Sequence, residues 1–345
     1  MKKCLVILIV FSLVILPVSA MEFTAPAAPE SAQPYMPEDE TFAEGLLYII
    51  KTAVQSIKPE LAEGSGVCLS AIAVVMLMGI LNSFSGTSEN VIRLVTSVVL
   101  GTLLLQSTNS LIRLGTETVQ QLSDYGKLLI PVMTTALAAQ GGVTSSAALY
   151  TGTVFFDTIL VGAITRLIIP LLYVFLSLSV ACCAVEQDIL KKVRDFIKWL
   201  ITWSLKWILF IFTAYLGLTG VISGTVDSSA IKAAKMTISG VVPVVGGMLA
   251  DASEAILVSA GVMKNAAGVY GIFALLAVCV GPFLQIGIQY LLLKMTGGIC
   301  SAFECKSAST LVQDFSTGMG ILLGVTGAVC VMLMISIVCF MKGVS

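Results

Sequence analysis

The 345-residue sequence predicts an all-α fold, a polytopic transmembrane helix bundle with 6 to 9 crossings. Three observations carry that reading. Hydrophobic residues make up 57% of the chain and charged residues only 11%, less than half the roughly 25% with which a soluble domain covers itself. The mean hydropathy is +1.00. Apolar runs long enough to cross a hydrocarbon core of about 30 Å recur along the chain. The absence of histidine removes Ser/His and Cys/His nucleophilic sites, HExxH zinc sites and His-ligated haem. A formal charge of -1 gives no basic field for nucleic acid. No enzymatic activity, metal or cofactor is expected.

Met1, Lys2 and Lys3 precede an apolar run from Cys4 to Leu16, followed by Pro17 and the small-residue ending Val18, Ser19, Ala20. This is the pattern of a signal peptide, residues 1–20; a first membrane anchor is the alternative. Residues 21–40 hold Pro26, Pro29, Pro34 and Pro37 among Glu22, Glu30, Glu38, Asp39 and Glu40. That composition predicts an extended, disordered acidic linker. Thr41 and Glu44 form a capping box, and Phe42, Leu46, Ile50, Val54 and Ile57 recur at helical spacing until Pro59. An amphipathic helix ending at Pro59 is predicted. Residues 21–65 carry eight acids and two lysines, a balance that belongs outside the cytoplasm. The polytopic domain then occupies 66–345.

Spans are predicted at 66–82, 91–109, 147–185, 207–223, 266–292 and 319–341. The third is too long for one crossing, and Arg166 and Pro170 interrupt it, so two helices are expected there. Two further runs, 128–142 and 240–262, carry Pro131 and Pro243 and stay open as crossings or as broken, re-entrant segments. Orientation rests on residues 186–207, where Lys191, Lys192, Arg194, Lys198 and Lys206 form the densest basic cluster. Such clusters stay cytoplasmic. Ile189, Val193, Phe196, Leu200 and Trp203 or Trp207 form an apolar stripe, and all three tryptophans lie in this stretch. An interfacial helix is predicted, with Lys191, Lys192, Arg194, Lys198, Trp199 and Trp203 as a candidate cytoplasmic interface.

A shift of 112 residues lays 128–138 over 240–250, matching Pro131 with Pro243, and also matches Pro170 with Pro282. A two-fold repeat, 128–223 and 240–341, is one reading of this; chance similarity of apolar segments is the other. Repeated Pro-interrupted segments build midplane sites in transporter folds. The candidate pore or hinge residues are therefore Pro131, Pro243, Gly246, Gly247, Asp251, Glu254, Lys264 and Asn265. Asp251 and Glu254 either line a polar path or lie solvated on an outer helix. Asp157 and Arg166 are the ionisable residues inside the third run, where charge is costly. They lie about 13 Å apart along a helix, too far to pair directly. Of nine cysteines, only Cys300 and Cys305 fall in a loop-like stretch; a disulfide there requires that loop to be outside.

The order of signal peptide, acidic linker and polytopic core, with LLIPVMTTALAAQGG at 128–142 and PVVGGMLADASEAILVSAGVMKNAAGVYG at 243–271, resembles the stage III sporulation protein AE family over essentially the whole mature chain. The resemblance implies a channel or export-gate subunit linking mother cell and forespore, multi-pass in the mother-cell-side (outer forespore) membrane. It implies as partners a secretion-type ATPase, small membrane subunits and intermembrane ring proteins, in the lipid bilayer and without nucleic acid. It brings no catalytic residues. The chain has no GxxxxGK[ST] pattern, so any nucleotide-derived energy has to come from a partner. The alternative function is a stand-alone secondary transporter with a site at Pro243 to Glu254. An intramembrane protease lacks the His and GxGD residues it would need.

Overall fold

The computed structural model describes residues 25–37, 42–84, 89–185, 187–241, 246–303 and 305–342. For residues 60, 82–84, 89, 216–241, 246–261, 263 and 264 it describes the backbone alone. Among the described residues there is no strand. The helices are α1 (Phe42–Phe84), α2 (Glu89–Ala139), α3 (Val143–Ala163), α4 (Ile169–Val185), α5 (Asp188–Val241), α6 (Gly246–Ser301) and α7 (Lys306–Lys342). A π-turn, Ile164–Ile168, joins α3 to α4, so the described residues form six long rods. All six contain stretches long and apolar enough to cross a membrane. This agrees with the lower end of the predicted range.

The rods are longer than the apolar runs suggest, because proline does not end them. α1 continues through Pro59 for 43 residues, joining the expected amphipathic helix to the first span. Pro59 is exposed, so the Gln55 carbonyl that loses its helical donor also lies on the outer face. The inner face, with Ile49 and Ala53 before it and Cys68, Ala71 and Val75 after it, is buried throughout and carries the helix across. Thr41, the expected cap, lies outside the described residues. Pro131 is likewise on an exposed face inside α2. The run 128–142 is therefore the tail of α2 and not a separate broken segment. The third run is one rod as well. The π-turn around Arg166 absorbs Pro170, since a widened turn frees the carbonyls that a proline cannot bond.

The expected interfacial helix is continuous with the span that follows it, in the 54-residue α5. Its predicted apolar stripe faces outward: Ile189 is 73% exposed, Phe196 57% and Trp203 46%. The buried stripe is Ile197, Ile201 and Phe212, with Leu205 and Ile208 half-buried against the core. The outward face thus carries an apolar stripe of its own beside the exposed Lys192, Asp195, Lys198 and Lys206, which misled the pattern reading.

Short connections at 140–142 and 302–305 turn successive helices back on one another, the arrangement of antiparallel neighbours. Cys183 at the end of α4, Lys191 in α5 and Lys306 in α7 meet at one end of the bundle. Met133, Gly268 and Met341 meet at the other. α7 is the central rod. It is buried along its length, from Ala308 through Phe315, Leu322 and Val329 to Phe340, as a helix apolar on all sides should be. Against the 112-residue shift, the turn at 140–142 falls on 252–254, which are helical. The element bounds thus do not repeat at that spacing.

Rods of 37 to 56 residues are about 55 to 85 Å long, roughly two to three times the hydrocarbon thickness. Exposed apolar side chains mark where lipid fits: Leu69 to Leu81 on α1, Val91 to Val99 on α2, Trp199 to Ile211 on α5 and Leu291 to Ile299 on α6. Farther along α2 the outer face carries the exposed ion pairs Arg113–Glu117 and Asp124–Lys127. That part of the bundle stands clear of the hydrocarbon.

Candidate functional site

Residues 25–37 form an ordered strap and not a disordered linker. Ala28 and Ala32 are buried, and a 3-10 turn at Gln33–Tyr35 follows. The Ala28 amide donates to the Tyr270 hydroxyl at 3.3 Å, Ser31 donates to Gln121 at 3.0 Å, and the Tyr125 hydroxyl donates to the Pro26 carbonyl at 3.4 Å. The strap therefore spans α2 and α6, and Tyr35 reaches α1 at Ser56 (3.3 Å). Two alanines hold it because a side chain that small lets backbone lie directly on a helix.

Beneath the strap lies a polar groove between α1, α2 and α6. It consists of two adjoining cavities, about 170 Å³ under the strap and about 300 Å³ deeper, with Leu114 and Gln285 in the walls of both. α2 supplies Ser107, Ser110, Glu117, Thr118 and Gln121, and α6 supplies Gln285 and Gln289. These positions recur at helical spacing, so each helix lines the groove with one polar face, and Ser110, Glu117 and Gln121 lie exposed along its open edge. α1 contributes Glu63 and Gly64. Gly64 lets α6 approach closely, since a Cβ there would lie 2.7 Å from Gln289 Oε1 and displace that side chain. Pro282, in the same wall, gives the Val278 carbonyl no helical donor, and Val278 also lines the upper cavity. The walls thus offer carboxylate, amide, hydroxyl and backbone oxygen to water in a cleft open to the surface, with Gln289 buried at its floor.

Among the described residues, none of those singled out from sequence lines either cavity. Pro131 sits on the outer face of α2 and lines neither cavity. Pro243 lies outside the described residues. Gly246, Gly247, Asp251, Glu254 and Lys264 fall within α6 with backbone alone described, and Asn265 is exposed. Asp157 is 3% exposed and accepts a 2.7 Å hydrogen bond from Ser123 on α2, which ties α3 to α2. Its other oxygen, and the Thr153 hydroxyl one turn earlier, have no hydrogen-bond partner among the described residues. Arg166 is exposed on the π-turn. The sequence reading missed the groove because it sought charge; the helical recurrence of Ser, Thr and Gln in 107–121 was the available signal.

The candidate cytoplasmic interface divides. Lys192, Lys198, Trp199 and Trp203 are exposed. Arg194 instead turns into the bundle and donates to Asp314 of α7 at 2.7 Å and to Asp195 at 2.9 Å. The side chains of Arg194 and Asp314 are 12% and 14% exposed, so this pair joins two rods. Phe196, Trp199, Trp203, Trp207 and Phe210 meet ring to ring in sequence with centroids 5.8 to 5.9 Å apart, the first two pairs stacked, the third tilted and the last edge-on. That ladder extends about 21 Å along α5, deeper than a headgroup belt. Cys300 and Cys305 are free thiols, and Cys300 is buried. Among the described residues no group of His, Cys, Asp or Glu has the makings of a metal site.

Residues 38–343 match the family model described as Stage III sporulation protein AE. The stage III sporulation protein AE of Bacillus subtilis (strain 168) is 24% identical over 251 residues, covering 72% of this chain and 60% of that protein. The chain therefore spans less than two thirds of that relative. No solved structure matches.

Proposed function

The chain belongs to the stage III sporulation protein AE family, membrane proteins of sporulation, and we propose that it is the channel or export-gate subunit of a complex linking mother cell and forespore. The polar groove carries this reading. Ser107, Ser110, Gln285 and Gln289 form a wettable path that runs from the solvated end of the bundle toward the apolar outer faces at Val99 of α2, Leu69 of α1 and Leu291 of α6, and a scaffold alone has no need of such a path. The groove opens beneath the strap that carries Glu30, and the basic residues gather at the opposite end of the bundle. Under the positive-inside rule the groove faces the space between the two membranes and the Lys191 to Lys198 end faces the mother-cell cytoplasm. The chain has no nucleotide-binding pattern of its own, so a secretion-type ATPase, small membrane subunits and ring proteins of the intermembrane space are the partners this role needs. The stand-alone transporter reading rested on Pro243 to Glu254, whose side chains lie outside the described residues.

Ser110 is exposed and its hydroxyl donates only to Ser107 of its own helix, at 2.8 Å. Ser110→Phe should therefore fill the groove and spare the fold. Cells carrying it are expected to yield fewer heat-resistant spores at unchanged membrane levels of the protein. A normal spore count would sink the proposal.

A further inference from the structure

We propose that the cavity at the basic end of the bundle binds an anionic phosphate group, of the kind an acidic phospholipid presents. The cavity, about 240 Å³, lies where α4 ends and α5 and α7 begin, and Lys191, Arg194 and Lys306 converge on it. None of the described residues lining it is acidic. Arg194 is held by Asp314 and Asp195 and forms a fixed wall. Lys191 meets Asp188 only at 3.5 Å, with the two side chains 45% and 87% exposed, a pair worth little in water. Lys306 makes no ion pair among the described residues. Two lysine charges are thus available to a ligand. The N-terminus of the 37-residue α7 opens into the same cavity and adds its positive end.

The surroundings favour a lipid as the bearer of that phosphate. Val185 at the end of α4, and Ile189 and Val193 on the outward face of α5, are exposed apolar side chains at this same end of the bundle, so acyl chains can cover the helices that frame the cavity. Basic pockets between helices at a cytoplasmic surface take acidic headgroups for this combination of reasons.

The test uses the full chain in neutral detergent, with tryptophan fluorescence as readout, since Trp199 and Trp203 lie within three turns of Arg194. Short-chain phosphatidylglycerol is expected to give a saturable change, and short-chain phosphatidylcholine none. Saturation by inorganic phosphate as well would keep the anion site and assign it to a soluble phosphate group. Lys306→Gln should weaken binding severalfold, and Lys191→Gln with Lys306→Gln roughly ten-fold or more. The corresponding Lys→Arg changes should retain it. Equal responses to the two lipids, no response to any of the three probes, or an unchanged affinity in the double Gln variant overturns the proposal. Lys306 is exposed, so its substitution leaves the fold in place and keeps the single variant decisive.

Discussion

Asp314→Ala is expected to destabilise the bundle by about 3 to 5 kcal/mol, the cost of leaving one member of a buried ion pair uncompensated. Arg194 and Asp314 are 120 residues apart in sequence, 2.7 Å apart in space and largely shielded by α4, α5 and α7. After truncation the guanidinium keeps Asp195 as a partner, which places the loss toward the lower end of that range. Removing both charges together, as Arg194→Met with Asp314→Leu, should recover most of it, because no buried charge is then stranded. Thermal unfolding of the three proteins in one detergent measures this. If Asp314→Ala unfolds with the parent, the pair is not what joins α5 to α7.

Gly152→Val is the second large effect. Tyr215 of α5 lies directly over Gly152 of α3, where a Cβ would overlap the ring. The Tyr215 hydroxyl donates to the Ala148 carbonyl at 3.1 Å, and its ring packs on Phe156 with centroids 5.6 Å apart. Phe156 in turn meets Phe212 at 5.5 Å. A valine forces the ring out and breaks that hydrogen bond. About 1 to 3 kcal/mol is lost to overpacking and about 1 kcal/mol to the bond. Gly162→Val is the control. A Cβ at Gly162 meets nothing within 4 Å, so that variant should unfold within about 0.5 kcal/mol of the parent. Equal stability of the two variants would contradict the packing of α3 on α5.

The membrane class and the lower bound of six crossings were legible from apolar run length alone. Helix boundaries were not. Pro59, Pro131 and Pro170 look like breaks in a string of letters, yet the first two lie on outer faces and the third beside a π-turn. Which face a proline occupies depends on packing that no local pattern records. The strap failed for a related reason. Proline and acid predicted disorder, while the residues that anchor it, Ala28 and Ala32, carry almost no hydrophobic signal of their own. Arg194 read as surface charge because Asp314, its partner, is remote in sequence. The groove was hidden because Ser and Gln are individually cheap inside a helix bundle. They become informative only when α2 and α6 are laid side by side and Gln289 is seen to face Ser107 and Gly64.

The central claim is that water enters the bundle beneath the strap and reaches Ser110. Introducing Ser110→Cys, with the natural cysteines as background, tests it through reaction with a membrane-impermeant maleimide added from the side bearing the strap. Cys68, Cys182, Cys183, Cys279, Cys300 and Cys330 are buried and should contribute little. Leu69→Cys, at a site 66% exposed on the outer face of α1, reports the lipid-facing surface. Rapid labelling of Ser110→Cys with slow labelling of Leu69→Cys is the predicted result. Absence of labelling at Ser110→Cys, or equal labelling at both positions, would contradict a water-filled groove and with it the channel assignment.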